Sequence, residues 1–91
     1  MKGYKAFNNG LVCRGFQFEV GKTYKHYGKI GLCEAGFHFC ETAADCAKYY
    51  DHTESEFAEV EATGEIIKGD DKCVTNEIVI IRKINRMEFY A

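Results

Sequence analysis

The pattern of apolar and polar residues places one helical segment among several short strand-like segments. Between Leu32 and His52, a two-residue alternation in Phe37-His38-Phe39-Cys40 changes into an apolar repeat of three to four residues. Thr42 is a suitable N-cap, with Asp45 three residues later as in a capping box. The pattern therefore predicts one α-helix over residues 42–51.

The other segments alternate with a period of two, which is typical of strands. Asn8-Asn9-Gly10 indicates a tight turn, because Asn and Gly tolerate a positive φ. Gly15 interrupts an alternating segment and predicts a bulge there, and Gly69-Asp70-Asp71 indicates another turn. The segments predicted to be extended are 4–7, 11–13, 16–20, 22–27, 29–33, 37–40, 57–66 and 73–84.

Two of these segments suggest how the layers are arranged. Segment 57–66 places Ala58, Val60 and Ala62 on one face and glutamates on the other, and the β-branched run 78–81 is typical of a central strand covered on both faces. The sequence thus predicts one α+β domain over residues 1–91, a mainly antiparallel sheet of short strands. Its apolar face would be covered by the single α-helix, and its glutamate face would be solvated.

Length, charge and cysteine content narrow the class of protein. A chain of 91 residues supports one core, and its net charge of −2 disfavours direct nucleic-acid binding. No secretion signal and no bilayer-spanning apolar run is present, so a cytoplasmic protein with no membrane partner is expected. The odd count of five cysteines favours free thiols over a disulfide framework.

The central segment also carries residue types that bind metals or act as nucleophiles. Cys33, His38 and Cys40 could be joined by Cys46 or His52 as ligands, but the paired short-loop spacing of zinc sites is missing. His38 and Cys40 share one strand face at about 7 Å, too far for a direct hydrogen bond. We therefore predict no metal, cofactor or catalytic residue, and leave open whether His38 points into a pocket or into water.

Two other groups of side chains are candidates for binding a partner. Glu59 and Glu61 could bind a basic partner. Alternatively, they form a solvated sheet face whose negative charge is balanced across strands by Arg82, Lys83 and Arg86. Aromatic residues that look exposed could anchor an interface or cap the sheet edges: Tyr24, Tyr27, Tyr49, Phe57 and Tyr90. The predicted binding residues are His38, Cys40, Tyr49, Tyr50, Glu59 and Glu61.

Several phrases resemble a small uncharacterised domain family that is common in bacteriophage and prophage genomes. They are 13–24, 33–40, Tyr49-Tyr50 and 57–65. The resemblance implies a phage origin but no mechanism. A weaker likeness joins Gly36-Phe37-His38-Phe39 and the helix to the strand-then-helix segment of ADP-ribosyltransferase folds, although no catalytic glutamate motif is identifiable.

Two functions follow as expectations. The first is a small phage-encoded protein in the host cytoplasm that binds a host or phage protein, such as an inhibitor of a host defence system like CRISPR. The alternative is a nucleotide-binding or degenerate ADP-ribosyltransferase-like domain that uses the pocket between the strand at 36–40 and the helix.

Overall fold

The computed structural model describes residues 1–8, 10–13, 15–32, 35–48 and 55–85. Within these ranges the chain is mainly antiparallel β-structure with one short helix, which fits a mainly-β or an α+β fold. Its elements are β1 (Lys2–Phe7), β2 (Val12–Cys13), β3 (Phe16–Gln17), β4 (Thr23–Lys25), β5 (Phe37–Phe39), α1 (Ala43–Ala47), β6 (Glu56–Ala62), β7 (Ile66–Lys68), β8 (Cys73–Thr75) and β9 (Glu77–Ile84).

The C-terminal half of the described chain is a long hairpin that bends in the middle. β6 pairs with β9, and β7 pairs with β8 across the predicted turn, where the Gly69 N–H donates to the Lys72 carbonyl at 2.8 Å. At the bend, Asn76 Oδ1 accepts a hydrogen bond from the Glu65 N–H at 2.8 Å, and a Cβ on Gly64 would overlap the Asn76 side chain. The bend divides the hairpin between two sheets, β1-β6-β9-β4 and β5-β8-β7.

A contact between β1 and β5 joins these two sheets. The Tyr4 N–H donates to the Cys40 carbonyl at 2.7 Å, and the Cys40 N–H donates to the Tyr4 carbonyl at 2.8 Å. The strands therefore follow a closed path: β1 pairs with β6 and β6 with β9, the chain joins β9 to β8 through Asn76, β8 pairs with β5, and β5 leads to the bridge with β1. All five strands contribute to one buried cluster, which includes Phe7, Phe39, Val60, Cys73, Ile78 and Ile80.

The helix begins as predicted but ends earlier. Thr42 Oγ1 accepts a hydrogen bond from the Asp45 N–H at 3.1 Å, which confirms the N-cap. The helix ends at Ala47, where the Lys48 N–H turns to the Asp45 carbonyl three residues back, so the predicted end at residue 51 is wrong. Residues 49–51 of that prediction lie outside the described ranges.

The predicted placement of the helix on the apolar sheet face is also wrong. Ala58, Val60 and Ala62 point into the cluster enclosed by the strands, as their alternation predicts. Helix residue Cys46 instead packs against Phe57, which is on the same face of β6 as the glutamates. A second small cluster, formed by Ala6, Cys40, Cys46, Phe57 and Ile84, holds the helix there.

Three strand predictions differ from the structure for local reasons. Cys13 pairs with Phe16, and Gly15 has φ +76°, so the interruption is the turn of hairpin β2–β3 and not a bulge. Residues 29–32 form no strand, and Cys33 lies outside the described ranges. β9 is fully covered on the face of Ile78 and Ile80 only, because the helix reaches just one end of the other face.

The prediction that basic residues balance the glutamate face across strands is confirmed for Arg82, whose Nε lies 2.9 Å from Glu59 Oε2. Lys83 instead pairs with Glu56, which alternation places on the other face of β6, with Lys83 Nζ 2.6 Å from Glu56 Oε2. Arg86 is not among the described residues. Glu56 Oε1 also accepts hydrogen bonds from the backbone N–H groups of Gly10 and Leu11, at 2.7 and 2.9 Å, and thereby holds the turn after β1.

A substitution at Gly3 tests how closely β1 and β5 pack at their contact. A Cβ at this position would lie 2.5 Å from the Cys40 carbonyl oxygen and 2.7 Å from Cδ2 of Phe39. Because that carbonyl belongs to the bridge, we expect Gly3→Ala to lower the free energy of unfolding by about 1–3 kcal/mol. The exposed neighbouring substitution Lys2→Ala should change it by less than about 0.5 kcal/mol. Urea unfolding measures both, and equal effects of the two variants would contradict a tight junction.

Glu56 predicts a pH dependence of stability. The hydrogen bond from Lys83, followed by those from the Leu11 and Gly10 N–H groups, lowers the pKa of the Glu56 carboxyl in the folded state. A depressed folded pKa gives stability that is present above the unfolded pKa and is lost as the pH falls through the folded value. Glu56→Gln should therefore destabilise the protein at neutral pH by about 1.5–3 kcal/mol, the scale of hydrogen bonds to a charged group.

The difference between wild type and Glu56→Gln should vanish in acid, once the wild-type carboxyl is protonated. Urea unfolding at neutral pH and at a pH below the folded value gives the comparison. The matched control is Glu65→Gln, whose side chain is exposed. A constant difference across the pH range would show that the carboxylate charge is not the source of the stabilisation.

Candidate functional site

A cavity of about 360 Å³ lies beside the junction of β1 and β5. Its walls come from these two strands, from hairpin β2–β3 and from the helix residue Cys46. Cavities of this size, lined mostly by apolar side chains with a few polar groups, are typical of small-molecule sites. The cavity is therefore the candidate functional site.

Aromatic rings form one wall of the cavity. Phe18 lies at the centre, with edge-to-face contacts to Phe7, Phe16, Tyr24 and Phe37 at centroid distances of 5.4, 4.8, 4.9 and 5.9 Å. The hydrogen bond from the Phe18 N–H to the Leu11 carbonyl at 2.9 Å holds the backbone that carries this ring. Phe16 also lines the cavity but is 49% exposed, so it stands at the rim.

Lys5 brings a positive charge to this wall. Strand alternation in β1 puts its side chain on the same face as that of Phe7, and only 5% of the residue is exposed. Its Nζ donates to the His38 carbonyl at 2.7 Å and lies 5.7 and 5.8 Å from the ring centroids of Phe7 and Phe18. A backbone oxygen and two ring faces thus hold the ammonium group at the cavity.

The charged lining of the cavity is basic. Lys72 joins Lys5 there, and no Asp or Glu is present among the described residues of the lining. The nearby acids Asp45 and Asp71 both face Lys48, whose Nζ lies 3.3 and 3.8 Å from their carboxylate oxygens. The charged side chains that the described residues contribute to the lining are therefore both lysines.

Three cysteines also line the cavity: Cys13, Cys40 and Cys46. The Cys46 thiol donates a hydrogen bond to the Cys40 sulfur, which lowers the pKa of Cys40; the same bond and burial raise the pKa of Cys46. Burial, followed by the charge of Glu41, raises the pKa of Cys73. The predicted free thiols are confirmed for Cys13, Cys40, Cys46 and Cys73, while Cys33 lies outside the described ranges.

The residues predicted to bind a partner fall into three groups. His38 and Cys40 line the cavity, together with the flanking Phe37 and Phe39. Glu59 and Glu61 lie on β6 and are not among the lining residues, and Glu59 pairs with Arg82. Tyr49 and Tyr50 lie outside the described ranges.

Sequence reasoning missed Lys5 and misjudged one aromatic residue. The spacing of Lys5 and Phe7, two residues apart on one strand face, was the available signal for a lysine beside an aromatic ring. Phe57 was predicted to be exposed and is 1% exposed, because it packs against the helix. Tyr27, by contrast, is 85% exposed, as predicted, and Tyr24 is half-buried.

Two kinds of feature are absent from the described part of the chain. It contains no group of three or more His, Cys, Asp or Glu side chains placed to hold a metal ion. It also contains no helix that is both long enough and apolar enough to cross a membrane.

Fold and site together define a small, mainly antiparallel β domain with a basic, aromatic-lined cavity. The chain belongs to a family described as a domain of unknown function (DUF7666), whose model matches residues 1–91. No curated protein and no solved structure is significantly similar to the chain. The family description states neither an activity nor a source.

Proposed function

We propose that this domain binds a small organic anion, a carboxylate or a phosphate, with a flat apolar body. The observation that carries the proposal is the buried Lys5 ammonium beside the Phe7 and Phe18 rings in a cavity without a described acidic lining residue. The aromatic wall would take the body of the ligand, and the lysines would attract its charge. Mononucleotides belong to this class of ligand, so the proposal includes the nucleotide-binding alternative but no transferase activity.

The burial of the Lys5 charge is the physical reason for expecting the cavity to select charged over uncharged ligands. Lys5 is removed from bulk water, so water would screen the attraction between its ammonium group and an anion in the cavity only weakly. An uncharged analogue of the same shape would gain only the ring contacts. Binding should therefore depend more on the charge of the ligand than on its apolar body.

The test is thermal unfolding of the full chain with phenylacetate, salicylate, adenosine monophosphate and NAD, each beside an uncharged amide or nucleoside. A ligand at a hundred times its Kd stabilises the folded state by about 2.7 kcal/mol. For a domain of this size each kcal/mol raises Tm by about 4–8 °C. We expect at least one anion to raise Tm by several degrees and its uncharged analogue to have little effect.

Matched lysine variants locate the binding. Lys5→Met and Lys72→Met should each reduce the rise in Tm, and Lys2→Met, on the exposed end of the same strand as Lys5, should leave it unchanged. Circular dichroism confirms that each variant is folded. Equal stabilisation by charged and uncharged members of every pair, or full binding by Lys5→Met, would contradict the proposal.

Binding of another protein is the second candidate function, and the exposed apolar side chains favour it. Phe16 and Val20 are each 49% exposed, and Tyr27 is 85% exposed. The Phe16 ring also contacts Tyr24 edge to face at 5.5 Å, so it stands on a rigid aromatic base. In this reading the domain is a phage-encoded protein of the host cytoplasm that occupies a surface of a host or phage protein, for example one of a defence system.

Phe16 is the residue that tests this second function. The immobilised full chain should retain one protein in stoichiometric amount from a host lysate, and Phe16→Glu should abolish that retention because it puts a charge into an apolar contact. The matched control is Thr23→Glu, at another exposed strand position. Equal retention by both variants, or no stoichiometric partner, would count against it.

A further inference from the structure

One carboxylate holds the turn that leads into the aromatic wall of the cavity. Glu56 Oε1 accepts hydrogen bonds from the backbone N–H groups of Gly10 and Leu11, at 2.7 and 2.9 Å. The second oxygen, Oε2, lies 2.6 Å from Lys83 Nζ, and only 18% of the Glu56 side chain is exposed. Hydrogen bonds to an ionised acceptor are about twice as strong as those between neutral groups. The turn therefore has a strong anchor on β6.

The anchored turn has an unfavourable backbone conformation. Gly10 and Leu11 have φ values of +83° and +58°. Among the described residues, Leu11 is the only one other than glycine with φ in the left-handed region, which residues with a side chain rarely adopt. Such a conformation persists only where its surroundings hold it. Here the bonds to Glu56 hold the backbone, and burial in the main cluster holds the Leu11 side chain.

The same turn positions Phe18, the central ring of the aromatic wall. The Leu11 carbonyl accepts a hydrogen bond from the Phe18 N–H at 2.9 Å. Gln17 Nε2 donates to the carbonyls of both Gly10 and Phe18. Phe18 is 3% exposed and lines the cavity. Two routes of hydrogen bonds therefore connect the strained turn to this ring.

We infer that Glu56 is a positioning residue of the cavity, which fixes the Phe18 ring relative to Lys5 through the turn at residues 10–11. The ring centroid lies 5.8 Å from Lys5 Nζ. This role rests on the proposed function, because an anion with a flat body needs ring and ammonium group at a set distance to contact both. Glu56 is not among the lining residues, so it acts on binding without touching the ligand.

Amide hydrogen exchange of the full chain, followed by NMR, tests the positioning without a ligand. The Phe18 N–H reports on the aromatic wall, and the Cys40 N–H, bonded to the Tyr4 carbonyl at 2.8 Å, reports on the wall formed by β1 and β5. Global destabilisation accelerates both amides, whereas local loosening accelerates only the first. We expect Glu56→Ala to raise the ratio of the Phe18 rate to the Cys40 rate by about tenfold, because hydrogen bonds to a charged group are lost.

Two further variants separate positioning from a general loss of stability. Lys83→Met removes the ion pair but leaves the Glu56 oxygen on the turn, so the exchange ratio should stay at its wild-type value. Glu56→Gln keeps an acceptor oxygen and should recover most of the effect of Glu56→Ala. Should Glu56→Ala not fold, Glu56→Gln carries the test, with a smaller rise of the ratio.

Binding of salicylate and adenosine monophosphate, measured by calorimetry, tests the consequence for the cavity. Glu56→Ala should weaken binding by about threefold or more, because fewer molecules present the wall in the binding geometry, and Lys83→Met should bind like wild type. If neither probe binds wild type, the proposed function fails and the exchange ratio alone decides the positioning. The positioning role is overturned by an unchanged ratio in Glu56→Ala, by an equal rise in Lys83→Met, or by wild-type affinity of Glu56→Ala.

Discussion

The contact between β1 and β5 is the constraint on which both the fold and the candidate site depend. Two hydrogen bonds, at 2.7 and 2.8 Å, join Tyr4 to Cys40, and a third joins Lys5 Nζ to the neighbouring His38 carbonyl at 2.7 Å. These bonds connect the edge of one sheet to the edge of the other. They also cover strand edges that would otherwise offer unpaired backbone groups to other chains.

Closure of the strands also explains how a lysine comes to lie inside. Alternation in β1 directs Lys5 and Phe7 to the same side, and that side becomes the interior once β5 is in place. Removing an ammonium from water costs several kcal/mol. A hydrogen bond to the charged group offsets about 1.5–3 kcal/mol of this cost, and contact with each ring face offsets about 0.5–2 kcal/mol. The fold thus keeps a costly charge at a cavity, which is more typical of a binding site than of a core position.

Local sequence signals predicted the elements well and their assembly poorly. The Thr42 cap, the turn at Gly69 and the inward Ala58, Val60 and Ala62 each depend on residues close together in the chain, and each is present. The junction at Tyr4 and Cys40 depends on residues far apart in the chain. Such a contact leaves no local pattern, so a single sheet was predicted in place of a closed path of strands.

The position of the helix was mispredicted for the same reason, because it too depends on a contact between residues far apart in the chain. Its apolar stripe was evident from spacing, but which sheet face it covers depends on Phe57, one apolar residue on a face otherwise read as wet. For the candidate site, His38 and Cys40 were predicted from residue type and from their shared strand face. Lys5 was missed because a lysine in an alternating strand is normally solvated.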